Sequence, residues 1–182
     1  MNLKLSRLTT FIQKRSTPIL EKTLNPTLSF ALVEADSSPV AIMVHGDTPP
    51  TDSDWDKSIE FLIHVINDFD CKRCFVLIPG QNPPAPEQSK RMVESVKNNV
   101  PEKLIRTAVL NPKSNASTKL ASENFSVLHH KIRPSEKLSL KFFTSEEEAL
   151  HHILIDPNSK EAKKILTTIT YLSDKTKKKR RR

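Results

Sequence analysis

Five consecutive apolar residues, Cys74-Phe75-Val76-Leu77-Ile78, stand between the cations Lys72-Arg73 and the breaker Pro79-Gly80. So short a run bounded in this way reads as a strand, and because both of its faces are apolar, both must be covered. This places the segment at the centre of a sheet. Alternating patterns upstream supply partner strands: LSFALVE from Leu28 and VAIMVH from Val40, joined by a polar loop ending at Pro39, read as a β-hairpin. Arg106 to Leu110 and Leu138 to Phe143 add two more short strands.

Between the strands the period changes to that of helices. Thr51 followed three residues later by Asp54 resembles a capping box with Asp in place of Glu. Trp55, Ile59, Leu62 and Ile66 then form one stripe of a helix ending near Phe69. Pro86 suits a first helical position, with Met92, Val93, Val96 and Val100 on one face of the helix that follows. A weaker helix is expected from Ser114 to Phe125. Thr144-Ser145 with Glu146-Glu147-Glu148 joins N-cap hydroxyls to acids in a first turn, where the helix dipole favours them; that helix should run through Leu154. Ala162, Ile165, Leu166, Ile169 and Leu172 make a last amphipathic helix. The expected fold is α/β: a mixed sheet of about five strands opened by the hairpin, with helices mainly on one face.

The 182 residues, 36% of them hydrophobic, are enough for one domain with its own core. Gly46 and Gly80 are the two glycines, which excludes the clustered-glycine motifs GxGxxG, GxxxxGK[ST] and GxSxG. The nucleotide enzymes and hydrolases that depend on those turns are excluded with them.

The net charge of +8 is concentrated at the ends. Residues 175–182 hold seven Lys/Arg and no acid; residues 1–24 hold five Lys/Arg and one Glu. What remains has 17 Lys/Arg against 20 Asp/Glu, so the folded part is mildly acidic and a basic stripe along a duplex is not supported. The run Lys175, Lys177, Lys178, Lys179, Arg180, Arg181, Arg182 repels itself and is expected as a disordered tail, 175–182, binding an anionic partner: nucleic acid, an acidic protein or a membrane surface. Its plainer reading is a solubilising tail.

Residues 1–25 read as a basic amphipathic helical extension with Leu5, Leu8 and Ile12 on one face. Lys4, Arg7, Lys14 and Arg15 interrupt the apolar run that a secretory signal needs; the rival reading is an organellar presequence or a membrane-surface helix. No segment approaches the roughly 18 apolar residues of a membrane span. A cytoplasmic protein is expected, with nuclear or organellar placement as the alternatives. The core should occupy 26–156 and the last helix 157–174.

Three passages resemble the STAS domain, the anti-sigma-factor antagonist family. VAIMVHGDTPPTDSDWDKSIEFL is similar to its second strand and first helix, CKRCFVLIPG to its central strand, and LSLKFFTSEEEALHHIL to its last strand and capped helix. The likeness spans residues 28–154 and implies a protein-binding, regulatory domain without enzymatic activity or cofactor. In that family the central strand leads to an Asp-Ser-Ser/Thr-Gly turn whose serine is phosphorylated to switch binding off. Here the stretch is Gln81-Asn82-Pro83-Pro84-Ala85-Pro86-Glu87, with no Asp-Ser and no Gly, and Ser89 should lie inside the helix. Pro83, Pro84, Ala85, Pro86, Glu87 and Gln88 are the candidate partner-binding residues, at the carboxyl end of a central strand. The plainer reading is a Pro-stiffened connector.

Other chemistry is weakly marked. Cys71-Lys72-Arg73-Cys74 follows a helix and enters a strand, the reverse of a thioredoxin-like motif, and lacks the further ligands of a zinc site. The pairs His129-His130 and His151-His152 diverge whether in strand or helix, so neither pair chelates a metal through both rings. The histidines read as partly exposed groups flanking the core, the alternative being convergence of one His from each pair with His45 or His64. Asp52, Asp54 and Asp56 imitate the start of an EF-hand loop, but Lys57 and Ile63 occupy the positions that need Gly and Glu. One Trp and one Tyr give no stacking platform for nucleic acid. The expected function is a non-enzymatic STAS-like protein-binding module with a basic attachment tail; the alternative is an adaptor associated with nucleic acid or ribonucleoprotein and recruited through its basic termini.

Overall fold

The computed structural model of the chain describes residues 20–25, 28–46, 48, 51–79, 86–99, 106–114, 120, 123–124, 127 and 139–178. Its elements are β1 (Leu20–Asn25), β2 (Leu28–Val33), β3 (Val40–His45), α1 (Asp52–Phe69), β4 (Arg73–Leu77), α2 (Pro86–Asn99), β5 (Arg106–Leu110), β6 (Ser139–Phe143), α3 (Glu146–His152) and α4 (Lys160–Lys178). The six strands form one mixed sheet in the order β1-β2-β3-β4-β5-β6, antiparallel from β1 to β3 and parallel from β3 to β6.

The apolar run is where the sequence places it. β4 pairs with β3 and β5 and is buried along its whole length. Its period of two sends Phe75 and Leu77 to one face, and Cys74 and Val76 to the other. Each face has its own core. Ala31, Val33, Ile42, Val44 and Phe75 meet Ala149, Leu150 and Ile153 of α3 and its end, and Ala162, Ile165, Ile169 and Leu172 of α4. Leu28, Phe30, Leu32, Ala41 and Met43 meet Phe61, Leu62, Val65 and Ile66 of α1 on the other side. Helices thus cover both faces, which corrects the expectation of cover mainly on one. Successive right-handed crossovers that advance in one direction put their helices on the same face, so α1 and α2 lie together. The opposite face is left open until α3 and α4 close it.

Three boundaries also differ from expectation. Leu20–Asn25, assigned to a helical extension, is an added strand on β2. The amphipathic helix read from Leu5, Leu8 and Ile12 lies outside the described residues. α4 is part of the core through Ala162, Ile165 and Leu172, and it remains helical to Lys178, so the tail is not disordered from Lys175. Thr176 is buried there and its hydroxyl donates to the Ser173 carbonyl at 2.8 Å. α3 ends at His152 with Ile153 as C-cap, and Leu154 takes a left-handed φ of 62° while Ile155 N–H donates to Leu150 O at 3.0 Å. Of the weak helix expected at 114–125, residues 120, 123 and 124 are helical, as is residue 127 just beyond its expected end.

Candidate functional site

The chain leaves β3 at His45 and enters α1 through the expected capping box. Thr51 Oγ1 accepts from Asp54 N–H at 3.2 Å and Asp54 Oδ2 accepts from Thr51 N–H at 2.9 Å, which fixes the first turn of α1 over the carboxyl end of β3. From that turn the helix faces two neighbours. Ser58, Phe61, Leu62, Val65 and Ile66 are buried towards the sheet, while Trp55 and Ile59, half-buried, turn towards α2.

Between the two helices runs a groove of about 340 Å³ lined by Asp52, Trp55, Asp56, Ile59, Arg91, Ser95 and Val96. Its walls are aromatic and aliphatic, and its rim carries two carboxylates and one guanidinium. Arg91 Nη1 reaches Asp52 Oδ2 at 2.9 Å across the rim, with side chains 66% and 61% exposed. A pair so exposed contributes on the order of 0–1 kcal/mol and is readily replaced by other partners.

Beneath the groove lies a buried polar group. Alternation along β3 aims His45 at the α1 face, where its ring sits 5.0 Å from that of Trp55. His45 is 1% exposed, and among the described residues neither ring nitrogen has a hydrogen-bond partner, nor has Trp55 Nε1. Burial lowers the imidazole pKa to about 4, against the opposing pull of the Asp54 carboxylate, so the ring is neutral at pH 7. The sequence expectation of a partly exposed histidine is corrected here; His152, 9% exposed and 5.2 Å from the Phe143 ring, is buried as well. His64 and His151 are partly exposed and pair with Asp68 and Glu147 one turn along their helices. His129 and His130 lie outside the described residues.

The partner-binding candidates divide. Pro86 opens α2 as expected, Glu87 is exposed in its first turn, and Gln88 follows it. Pro83, Pro84 and Ala85 lie outside the described residues, as do Lys179, Arg180, Arg181 and Arg182. Lys175 is half-buried with its ammonium 4.4 Å from the Tyr171 ring centroid, and Lys177 and Lys178 close α4. Because β3 to β6 advance without reversal, no topological switch point forms among the described strands. Among the described residues the interhelical groove offers a concave surface, which pattern reading missed because Trp55 and Ile59 look like core positions.

Among the described residues no group of three or more His, Cys, Asp or Glu could hold a metal ion. Asp52 and Asp54 have the roles just given, in the rim pair and the cap. Cys71 and Cys74 are both buried, and burial raises both thiol pKa values, that of Cys74 strongly. Cys71 Sγ donates to Arg73 O at 3.2 Å and Pro39 O at 3.4 Å, which holds it as a core group. An aromatic disulfide reagent is expected to find no fast-reacting thiol in the native protein and both after denaturation; rapid native labelling would show a reactive CxxC instead. Among the described residues no helix is long and apolar enough to cross a membrane. No family model, curated protein or solved structure matches the chain.

Proposed function

We propose that the chain is a non-enzymatic, STAS-like protein-binding module with a regulatory or scaffolding role, its basic carboxyl-terminal run adding electrostatic attachment to an anionic partner. The observation that carries this reading is the groove between α1 and α2, apolar in its walls and charged at its rim, beside the start of α2. It sits on a sheet buried on both faces, so its walls are held by the core beneath them. The hairpin that feeds a capped α1, the central β4 and the capped α3 after β6 support the STAS-like arrangement. Ser89, the serine nearest the family's phosphorylated turn, falls within α2, so regulation by phosphorylation at that turn is not part of the proposal.

The test is affinity capture from native cell lysate with the full chain, an Ile59→Glu variant and a variant with Lys177–Arg182 changed to Ser and Gln, each with and without nuclease. Mutation of the tail is preferable to truncation at Asp174, because Thr176 is buried in the last turns of α4. A protein partner that survives nuclease and tail substitution but is lost with Ile59→Glu is the expected result. The alternative, an adaptor associated with nucleic acid or ribonucleoprotein, is favoured by the acid-free run 175–182. It would take over if capture vanished with nuclease and if neutralising the tail flattened the salt dependence, by roughly one unit of log–log slope for each phosphate no longer neutralised.

A further inference from the structure

We propose that the α1–α2 groove receives the basic run 177–182 of a second copy of the chain, giving head-to-tail self-association. The inference rests on the reading of the groove as a protein-docking surface and names its occupant. An aromatic and aliphatic trough whose rim sets two carboxylates, Asp52 and Asp56, against the one guanidinium of Arg91, itself in an exposed and replaceable pair with Asp52, suits the side chains of Lys and Arg. Their stems lie along Ile59 and Val96, and their charged heads meet the Trp55 ring and the carboxylates of Asp52 and Asp56. Asp56 and Glu60 extend the acidic rim along α1, with Lys57 the cation among them. Within the chain the complementary segment is the acid-free run, opposite a remainder in which 20 acids exceed 17 bases.

Topology decides between a chain's own groove and a neighbour's. α4 packs against β2 and β3 on the face opposite α1. Its first turns are held beside the end of β2, where Glu161 Oε1 accepts from Asp36 N–H and Lys164 Nζ donates to Glu34 O at 3.4 Å. From there α4 runs towards the end of the sheet where β2 begins at Leu28, paired with His45. It is helical to Lys178, so the backbone that begins the basic run lies on the far side of the sheet from its own groove. The groove lies at the same end on the other face, where a second molecule can meet it. Such a contact is heterologous, since donor and acceptor surfaces differ, and each added copy leaves one of each exposed.

The test uses two charge variants of the full chain, Asp56→Lys in the groove and the triple change Lys179→Glu, Arg180→Glu, Arg181→Glu in the run. Both are checked by circular dichroism and urea midpoint for an intact fold. In sedimentation at about 50 mM salt the unmodified chain should self-associate with concentration, and should dissociate at about 0.5 M. Each variant should weaken this by about tenfold or more. Mixing the variants should restore a complex limited to one of each, because the groove of one and the run of the other are intact. Trp55 is the single tryptophan, so its emission should change saturably on mixing. A chain that stays monomeric at low salt overturns the proposal. So do variants that fail to complement, or a run-dependent change in Trp55 emission that is independent of concentration, which would mean that a chain fills its own groove. Loss of a lysate partner with Ile59→Glu in a chain that does not self-associate would leave the docking reading standing and remove the second copy alone.

Discussion

Replacing Arg73 with alanine is expected to lower the unfolding free energy by about 3 kcal/mol or more, an effect of the size found when a buried donor is removed from its acceptors. Arg73 begins β4, is 4% exposed, and points to the α3–α4 face in line with Phe75 and Leu77. Its Nη1 donates to Ile153 O at 3.4 Å and its Nη2 to Ser38 O. Ile153 is the C-cap of α3, where carbonyls lack helical partners and the dipole is negative. Arg106, paired with Arg73 across the β4–β5 ladder, donates to His152 O at 3.0 Å, so two neighbouring strands hold one helix end. Burial weakens the hold of Arg73 on its proton, and the Glu161, Cys71 and Asp36 charges oppose that. Alanine would strand two carbonyls and leave a void. Arg73→Met, which keeps the stem, should recover the packing part alone. Urea midpoints of the three proteins measure the division, and a loss below about 1 kcal/mol for alanine would show that water replaces the guanidinium without penalty.

The second large effect is on acid stability. The His45 pKa is lowered from 6.5 to about 4 by burial, so between those values the unfolded chain binds a proton at this position that the native chain does not. Unfolding is therefore coupled to proton uptake, and stability rises with pH through this window. The contribution is fully present above pH 6.5 and is lost as pH falls towards 4, to the extent of roughly 3 kcal/mol. Carboxylates and other histidines titrate in the same range, so a variant is needed to isolate this one. His45→Phe cannot be protonated, and it removes two buried ring nitrogens that lack partners among the described residues beside Trp55. The difference in unfolding free energy between variant and parent should widen in favour of the variant from pH 7.5 to pH 4.5. A constant difference would mean that His45 is solvated in the native state.

Local pattern was enough to read the strands β2 to β6 and the starts of α1, α2 and α3. The apolar run of β4, the alternation of β2 and β3, the Thr51–Asp54 box, Pro86 at the start of α2 and the acids of α3 each depend on neighbours within a turn or a strand. Local chemistry of that kind is fixed before any tertiary contact exists. Tertiary structure decided which surfaces those elements present. Trp55, Ile59, Leu62 and Ile66 share one helical stripe, yet Leu62 and Ile66 enter the core while Trp55 and Ile59 face α2 and line the groove. The reason is that α1 has two neighbours in different directions, and a period of 3.6 residues does not record how many sides are covered. Arg73 read as a charged boundary because its partners, Ser38 and Ile153, lie far away in the chain. The same holds for Leu20–Asn25, a strand through its pairing with β2, and for α4, whose apolar stripe does not say which face of the sheet it will close.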